Sequence, residues 1–304
     1  MNQTNFLDRR ISLTFVLGDK FGARTFASTG TNTLVVSDAR VKCSITDAGG
    51  PTMGNALVRV YGLTPSNLRD LCTTQKLVNG AAKIQPNYLT ISVGDSSIPV
   101  TSYSAIFQGQ ITVATIDMDN APETMLTCTC NSGGFESAYQ VPPHTYFGGV
   151  DVYTIMQSLA NLSPPPLNFE GNNTHVQLHQ QYLWGSLRDQ IKQAAEAAGI
   201  NWTIANGTLA IWPQGGARTS NPNVPRLSYQ DGTLIGYPVN WSFGAGFKCI
   251  FNSQIFVGTL VNCTSTLDFA TGQFSVADVA HEIDSMSPSG QWFTMFHANP
   301  VPPV

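Results

Sequence analysis

Charge is what this sequence has least of. Only 11% of its 304 residues are charged, against about 25% in an ordinary soluble domain. The 15 Lys and Arg and 19 Asp and Glu leave a net charge of −4, with no run of like charge. Gripping phosphate backbones takes clustered Lys and Arg, so the composition argues against a basic nucleic-acid binder. Long apolar runs are missing too, since none approaches the roughly 18 residues of a membrane helix. Arg9-Arg10 ahead of residues 11–17 has the outline of an export signal, but polar residues alternate through it and Asp19-Lys20 follow at once. A first β-strand is the better reading. Cysteine is scarce: Cys43, Cys72, Cys128, Cys130, Cys249 and Cys263 contain no CxxC pair, which excludes a disulfide scaffold and a zinc ribbon. In Cys128-Thr129-Cys130 both sulfurs share one strand face, where residues two apart do not readily bridge. The six read as reduced packing thiols.

Catalytic and ligand-binding patterns are also lacking. A zinc-protease helix needs His-Glu-x-x-His; His175 and His179 have the spacing but Val176 takes the Glu position, and His281-Glu282 lacks the second His. Asp117-Met118-Asp119-Asn120 opens like a calcium loop, yet Pro122 stands where the turn Gly belongs and Cys128 where the bidentate Glu belongs. Gly49-Gly50-Pro51-Thr52-Met53-Gly54 has neither the lysine nor the following helix of a phosphate loop. There is no Gly-x-Ser-x-Gly nucleophile elbow. A glycoside hydrolase needs two carboxylates across a cleft, and the five glutamates, Glu123, Glu136, Glu170, Glu196 and Glu282, are scattered without distinctive context. Trp184, Trp202, Trp212, Trp241 and Trp292 could stack sugars, although their strand and helix settings favour core or interface burial. We therefore assign no catalytic, cofactor or metal residue, and read the chain as no enzyme.

What is present is a folding pattern. Hydrophobic residues make up 42% of the chain and 27 Gly and 18 Pro punctuate it; at this length a chain divides into two or three modules. Alternation predicts half-buried strands at 11–17, 33–36, 39–45, 56–61, 88–93, 105–114 and 123–130, separated by turns such as Gly94-Asp95 and Asn120-Ala121-Pro122. A short helix interrupts them at 65–72. Patterning changes at Val141-Pro142-Pro143-His144. Asp151 is placed to cap a helix carrying Val152, Ile155, Met156, Leu159 and Leu162 ahead of Pro164-Pro165-Pro166. Ser186 and Asp189 pair as a capping box, Leu187, Ile191, Ala194, Ala195 and Ala198 make one apolar face, and Gly199 is the stop. Asn206-Gly207 turns a hairpin between 200–205 and 208–212. Strand patterning then resumes at 234–239, 246–251, 259–263, 273–281 and 292–297, before a Pro-rich tail at 300–304. The expected organisation is a first β-barrel domain at 1–135, a connecting segment at 136–149, an α+β insert at 150–213 and a second β-barrel domain at 214–304.

Four stretches together resemble a known family: residues 49–63 (GGPTMGNALVRVYGL), 195–202 (AEAAGINW), 209–213 (LAIWP) and 235–238 (IGYP). In order and spacing they are similar to the baseplate hub proteins of contractile-tailed bacteriophages, over nearly the whole chain from about residue 10 to about 297. That resemblance implies a virion structural protein, assembled in the bacterial host cytoplasm. It implies a homotrimer whose two tube-like β-barrels per subunit form a ring of six, adapting a hexameric tail tube to a trimeric central spike around a DNA channel. The insert would face baseplate wedge proteins, and DNA would pass without specific binding. The chain is short for that family, so lysozyme-like or spike functions would belong to separate proteins. The alternative from another class is a virion-associated or secreted carbohydrate-binding or cell-wall-degrading protein. Low charge fits the assembly reading, because unpaired charge is costly to bury in large interfaces.

Overall fold

The computed structural model describes residues 8–18, 23–72, 75–78, 81–84, 86–119, 123–171, 174–218, 223–241, 244–287 and 289–301. The turn expected at Asn120-Ala121-Pro122, the far end of the 215–222 loop and the last three tail residues lie outside them. Strands account for 49% of the chain and helices for 15%, so the fold is mainly β, as the alternation predicts. The chain forms two compact units, each drawn from separate stretches: Met1–Ile45, Asn55–Asn131 and Glu282–Trp292 make the first, and Thr46–Gly54, Ser132–His281 and Phe293–Val304 the second.

The first unit carries β1 (Arg9–Leu17), β2 (Thr33–Val36), most of β3 (Val41–Asp47), β4 (Asn55–Tyr61), α1 (Pro65–Cys72), the small antiparallel pair β5 (Gln75–Val78) and β6 (Ala81–Ile84), β7 (Asn87–Asp95), β8 (Ser104–Asp117) and β9 (Met125–Asn131). Its sheet runs β3-β4-β9-β8-β7-β1-β2. Register places buried residues opposite one another: Ile11, Leu13 and Phe15 of β1 face Val93, Ile91 and Leu89 of β7. Ala56, Val58 and Val60 of β4 likewise face Cys130, Cys128 and Leu126 of β9. Because side chains alternate along a strand, these matches bury one face of each. A polar tie fixes α1 to the sheet, where fully buried Asn87 donates to the Leu71 carbonyl and accepts from Arg24. Arg24 also donates to the carbonyl of Asp70, so the helix end is satisfied rather than orphaned.

The second unit contains α2 (Gly134–Ala138), β10 (His144–Asp151), α3 (Val152–Asn161), β11 (Asn168–Glu170), β12 (Gln177–Leu183), α4 (Leu187–Ala198), β13 (Ile200–Ala205), β14 (Thr208–Pro213), β15 (Arg226–Ser228), β16 (Val239–Trp241), β17 (Gly244–Ile250), β18 (Leu260–Thr264), most of β19 (Gly272–Ser285) and most of β20 (Trp292–Pro300). The caps are where local sequence places them. The Asp151 carboxylate accepts from the Tyr153 backbone N–H, and Ser186 and Asp189 close a full capping box. Gly199 ends α4 in the left-handed region at φ 63°, a conformation that a side chain strains. α3 and α4 bury Val152, Ile155, Met156, Leu159, Leu187, Ile191 and Ala194 in one core with Leu209 and Ile211 of the β13–β14 hairpin. Each fully buried Leu or Ile there contributes about 1.5–3 kcal/mol. The other sheet of the unit runs β16-β17-β20-β19-β18-β15, with β15 parallel to β18.

Three features differ from the sequence reading. The strand expected at 234–239 is mostly loop: Gly236 turns at φ 72°, Leu234 makes a single bridge to Cys249, and pairing begins only at Val239. Pro238, without an N–H, cannot extend a ladder back through that turn. The segment after Val141, expected to lead directly into a helix, forms β10 instead, paired with β12 through a bulge between Tyr146 and Gly149. The pairings also do not return to close a barrel among the described residues of either unit.

One buried ion pair anchors the insert. Arg218, its side chain only 9% exposed, pairs with Glu170 of β11 through both nitrogens of its fork. Its guanidinium lies 4.6 Å over the Phe256 ring, and its backbone N–H donates to the Gly258 carbonyl. Removing one partner strands a buried charge. Arg218→Ala should therefore cost about 3–5 kcal/mol in urea denaturation, whereas Arg218→Met combined with Glu170→Leu should cost far less. Equal losses in the single and double variants would refute the pairing's role.

Candidate functional site

Three of the four stretches that carry the family resemblance converge, although they lie far apart in sequence. Gly49, Gly50 and Pro51, then Ala195, Glu196, Ile200, Asn201 and Trp202, and then Trp212 line one open cavity of about 370 Å³ in the second unit. The Gly50 N–H donates to the Trp202 carbonyl, and Arg188 donates to the carbonyl of Pro51. The loop is thereby strapped across the insert. Gly49 is required here: it sits at φ 62°, and a Cβ would stand 2.7 Å from the Val257 side chain. Nearby Asp47 accepts from the Gly49 N–H at 2.9 Å. Burial raises the Asp47 carboxyl above the ordinary carboxylate range, opposed by that hydrogen bond and by Arg218. Lys192 and Glu196 at the cavity's rim pair with each other at 3.7 Å, and the uncharged polar residues Asn201, Ser275 and Asn299 also line the recess. The fourth stretch, 235–238, lies in the loop before β16 with Tyr237 79% exposed.

A second recess, in the first unit, is polar. Lys42 and Ser44 of β3, Leu57 and Arg59 of β4, and Glu282 and Asp284 share one strand face by alternation and line it with Gln291. Glu282 accepts from the Ser44 hydroxyl at 2.6 Å, and Asp284 accepts from the Gln291 backbone N–H.

The residues singled out from sequence are dispersed. His175 bonds Asp151 at 2.6 Å and stacks on Tyr153, while His179 is exposed on β12 opposite Gly149. Among the described residues, no group of three His, Cys, Asp or Glu could hold a metal. Asp117 accepts from the backbone N–H of Asp119, as in a tight turn. Each glutamate has its own setting. Glu123 pairs with Arg40, Glu170 with Arg218 and Glu196 with Lys192, while Glu282 holds Ser44. Glu136 is buried, with its carboxyl raised by desolvation against opposing effects from Ser163 and Arg188. Trp202 and Trp212 are buried, Trp241 stacks on His297 at 4.9 Å, and Arg9 lies over Trp292. Trp184 alone of the five is largely exposed, at 60%. Sequence reasoning missed its setting because the strand leading to it was not foreseen.

A family model described as Baseplate hub gp41 matches residues 13–294. The chain belongs to that family. Solved structures similar to it include tail proteins. One, from Neisseria meningitidis MC58, has a TM-score of 0.59 at 9% identity and covers 95% of this chain and 96% of its own. The 43 kDa tail protein of prophage MuSo2 from Shewanella oneidensis has a TM-score of 0.56 at 9% identity, covering 95% and 98%. An E. coli component of the type VI secretion system, described as structurally similar to T4 tail proteins gp27 and gp5, has a TM-score of 0.53 at 10% identity, covering 86% and 74%. At such identity these likenesses establish the fold. No curated protein sequence matches the chain. Family membership places this hub protein in the virion tail. Among its described residues no helix is long and apolar enough to cross a membrane.

Two groups in this family member give measurable consequences. His281 is buried, bonding Thr294 Oγ1 at 2.9 Å and meeting Phe251 edge-on. Desolvation pushes its imidazole down to about 4, against a weaker opposing hydrogen bond to the Ile255 backbone. The fold thus holds a neutral ring where the unfolded chain, titrating near about 6.5, binds a proton. Its contribution is complete above that pH and is lost as pH falls towards 4, by up to about 3 kcal/mol. His281→Gln should flatten the pH dependence of stability over that window; an unchanged slope would contradict this. Burial also raises the cysteine thiols, with Cys128, Cys249 and Cys263 near 12. Cys72 is only partly buried, so a thiol reagent should label it first in the native protein, and all six after denaturation.

Proposed function

We propose that the chain is the structural hub subunit of a contractile phage tail. Three copies would form a ring that adapts the hexameric tail tube to the trimeric central spike and encloses the DNA channel. The observation that carries this reading is the family match, which runs through both β-rich units and the insert. Each unit supplies one tube-like β-module; the insert at 150–213 faces the wedge proteins; tube and spike stack above and below. DNA passes the ring without being bound, in keeping with the net charge of −4.

The open sheet edges support assembly. Among the described residues β2 pairs only with β1 and β16 only with β17. Neither strand carries a charged residue, and each exposes a valine, Val35 on β2 and Val239 on β16. Proteins that keep an edge in solvent usually guard it with charge, a bulge or a proline. An unguarded apolar edge is suited to strand addition by a neighbouring copy.

Mass measurement by light scattering, alone and with the purified spike protein, tests the reading, together with a peptidoglycan-hydrolysis assay. The expected result is a trimer, formed alone or on the spike, with no hydrolysis. A stable monomer that cleaves or binds cell-wall glycan would replace it with the carbohydrate-active alternative.

A further inference from the structure

We infer that the outward face of the β10–β12 ribbon is a docking surface for a neighbouring baseplate protein, whose uncharged apolar recess receives Trp184, Tyr182 and Phe147; the inference rests on the hub reading above. Register gives the ribbon two distinct faces. Tyr146 lies opposite Gln181 and His144 opposite Leu183, and Tyr146, Leu178 and Leu183 pack into the core of the insert. Thr145 lies opposite Tyr182 on the other face. Phe147 follows Thr145 by two positions, at the start of the bulge, and Trp184 follows Tyr182 by two, just past the end of β12, and all three rings stand outward. They are exposed by 86%, 60% and 60% for Phe147, Tyr182 and Trp184.

Trp184 is held in place by a tie that the core does not need. The Gln193 side chain of α4 accepts the Trp184 backbone N–H at 3.2 Å and donates to the Trp184 carbonyl at 2.9 Å. Both ends of one amide are thus spent on fixing the backbone beneath an exposed indole. An anchor fixed before binding loses less freedom on association, which is what a contact hot spot requires.

The chemistry of the patch points to a protein surface. Residues 144–150 and 177–186 contain no Asp, Glu, Lys or Arg, so a partner's charge buried here would find no counter-charge. Aromatic enrichment with charge depletion is the composition of an interface core. A sugar would need free polar groups beside the rings to orient its hydroxyls. Two nearby amides are engaged within the protein: Gln193 holds Trp184, and Gln181 donates to the His179 carbonyl at 3.0 Å. The family is that of a baseplate hub, which supplies protein neighbours.

The test measures the affinity of the full-length protein for each purified protein of the same baseplate in turn, by biolayer interferometry. Trp184→Ala should weaken binding to one of them by about 30-fold. Tyr182→Ala and Phe147→Ala should each act in the same direction. Gln193→Ala should weaken it less, while Trp184→Phe should restore part of the loss. Since the rings face solvent, thermal melting should not change, and trimer formation should persist in every variant. Wild-type affinity of Trp184→Ala for every baseplate protein would overturn the inference. So would binding of peptidoglycan fragments that Trp184→Ala abolishes, which would make the patch a sugar platform. Loss of self-association in the same variant would assign it instead to a second copy of this chain. Failure of the hub reading appears separately, as a monomer that does not assemble on the spike.

Discussion

The Arg218–Glu170 pair is the constraint on which the second unit depends. Glu170 sits on β11 of the insert, and Arg218 follows the β13–β14 hairpin and bonds back to Gly258 ahead of β18. One guanidinium therefore holds a strand of the insert against the neighbouring sheet, while its charge also acts on half-buried Asp47 at the base of the Gly49-Gly50 loop. In a chain with so few charges, a paired and desolvated one has a large local effect, because low dielectric strengthens attraction and makes an orphaned partner expensive. The cavity lined by the Gly49 loop, Trp202 and Trp212 lies within this arrangement.

Charge scarcity has a consistent structural expression. Several charged side chains are committed to specific partners: Arg24 to Asn87 and Asp70, Arg188 to Ser137 and Pro51, Glu282 to Ser44. The β2 and β16 edges, and residues 144–150 and 177–183 of the β10–β12 ribbon, are left without Asp, Glu, Lys or Arg. That division suits a tail component, in which broad surfaces meet other proteins and a charge inside an interface would cost more than it returns.

Much of the fold was legible locally. Asp151, Ser186 with Asp189, Gly199 and Asn206-Gly207 each act through hydrogen bonds or dihedral preferences spanning a few residues, and each sits in the structure where its neighbours in sequence place it. The resemblance to baseplate hub proteins was legible as well, since its stretches match a family pattern. β10 and β12 were less so: the Gly148-Gly149 bulge and the left-handed Gln180 at φ 52° break the alternation that identifies a strand. The strand read at 234–239 failed for the opposite reason. Its apolar residues mimic alternation, but Gly236 and Pro238 prevent a ladder.

The sequence by itself determined that the chain is mainly β, where α1, α3 and α4 lie, and which strand faces are apolar. These follow from periodicity and capping, whose causes lie within a few residues of their effects. Only the tertiary structure decided that Gly49 packs against Val257 and lies beside Trp202, that the five glutamates go to separate partners, and that Trp184 stands exposed on a tie to Gln193. Those outcomes depend on which distant segments meet, which in turn depends on the simultaneous burial of apolar faces and the satisfaction of polar groups across the whole unit, and no short window of sequence contains that information.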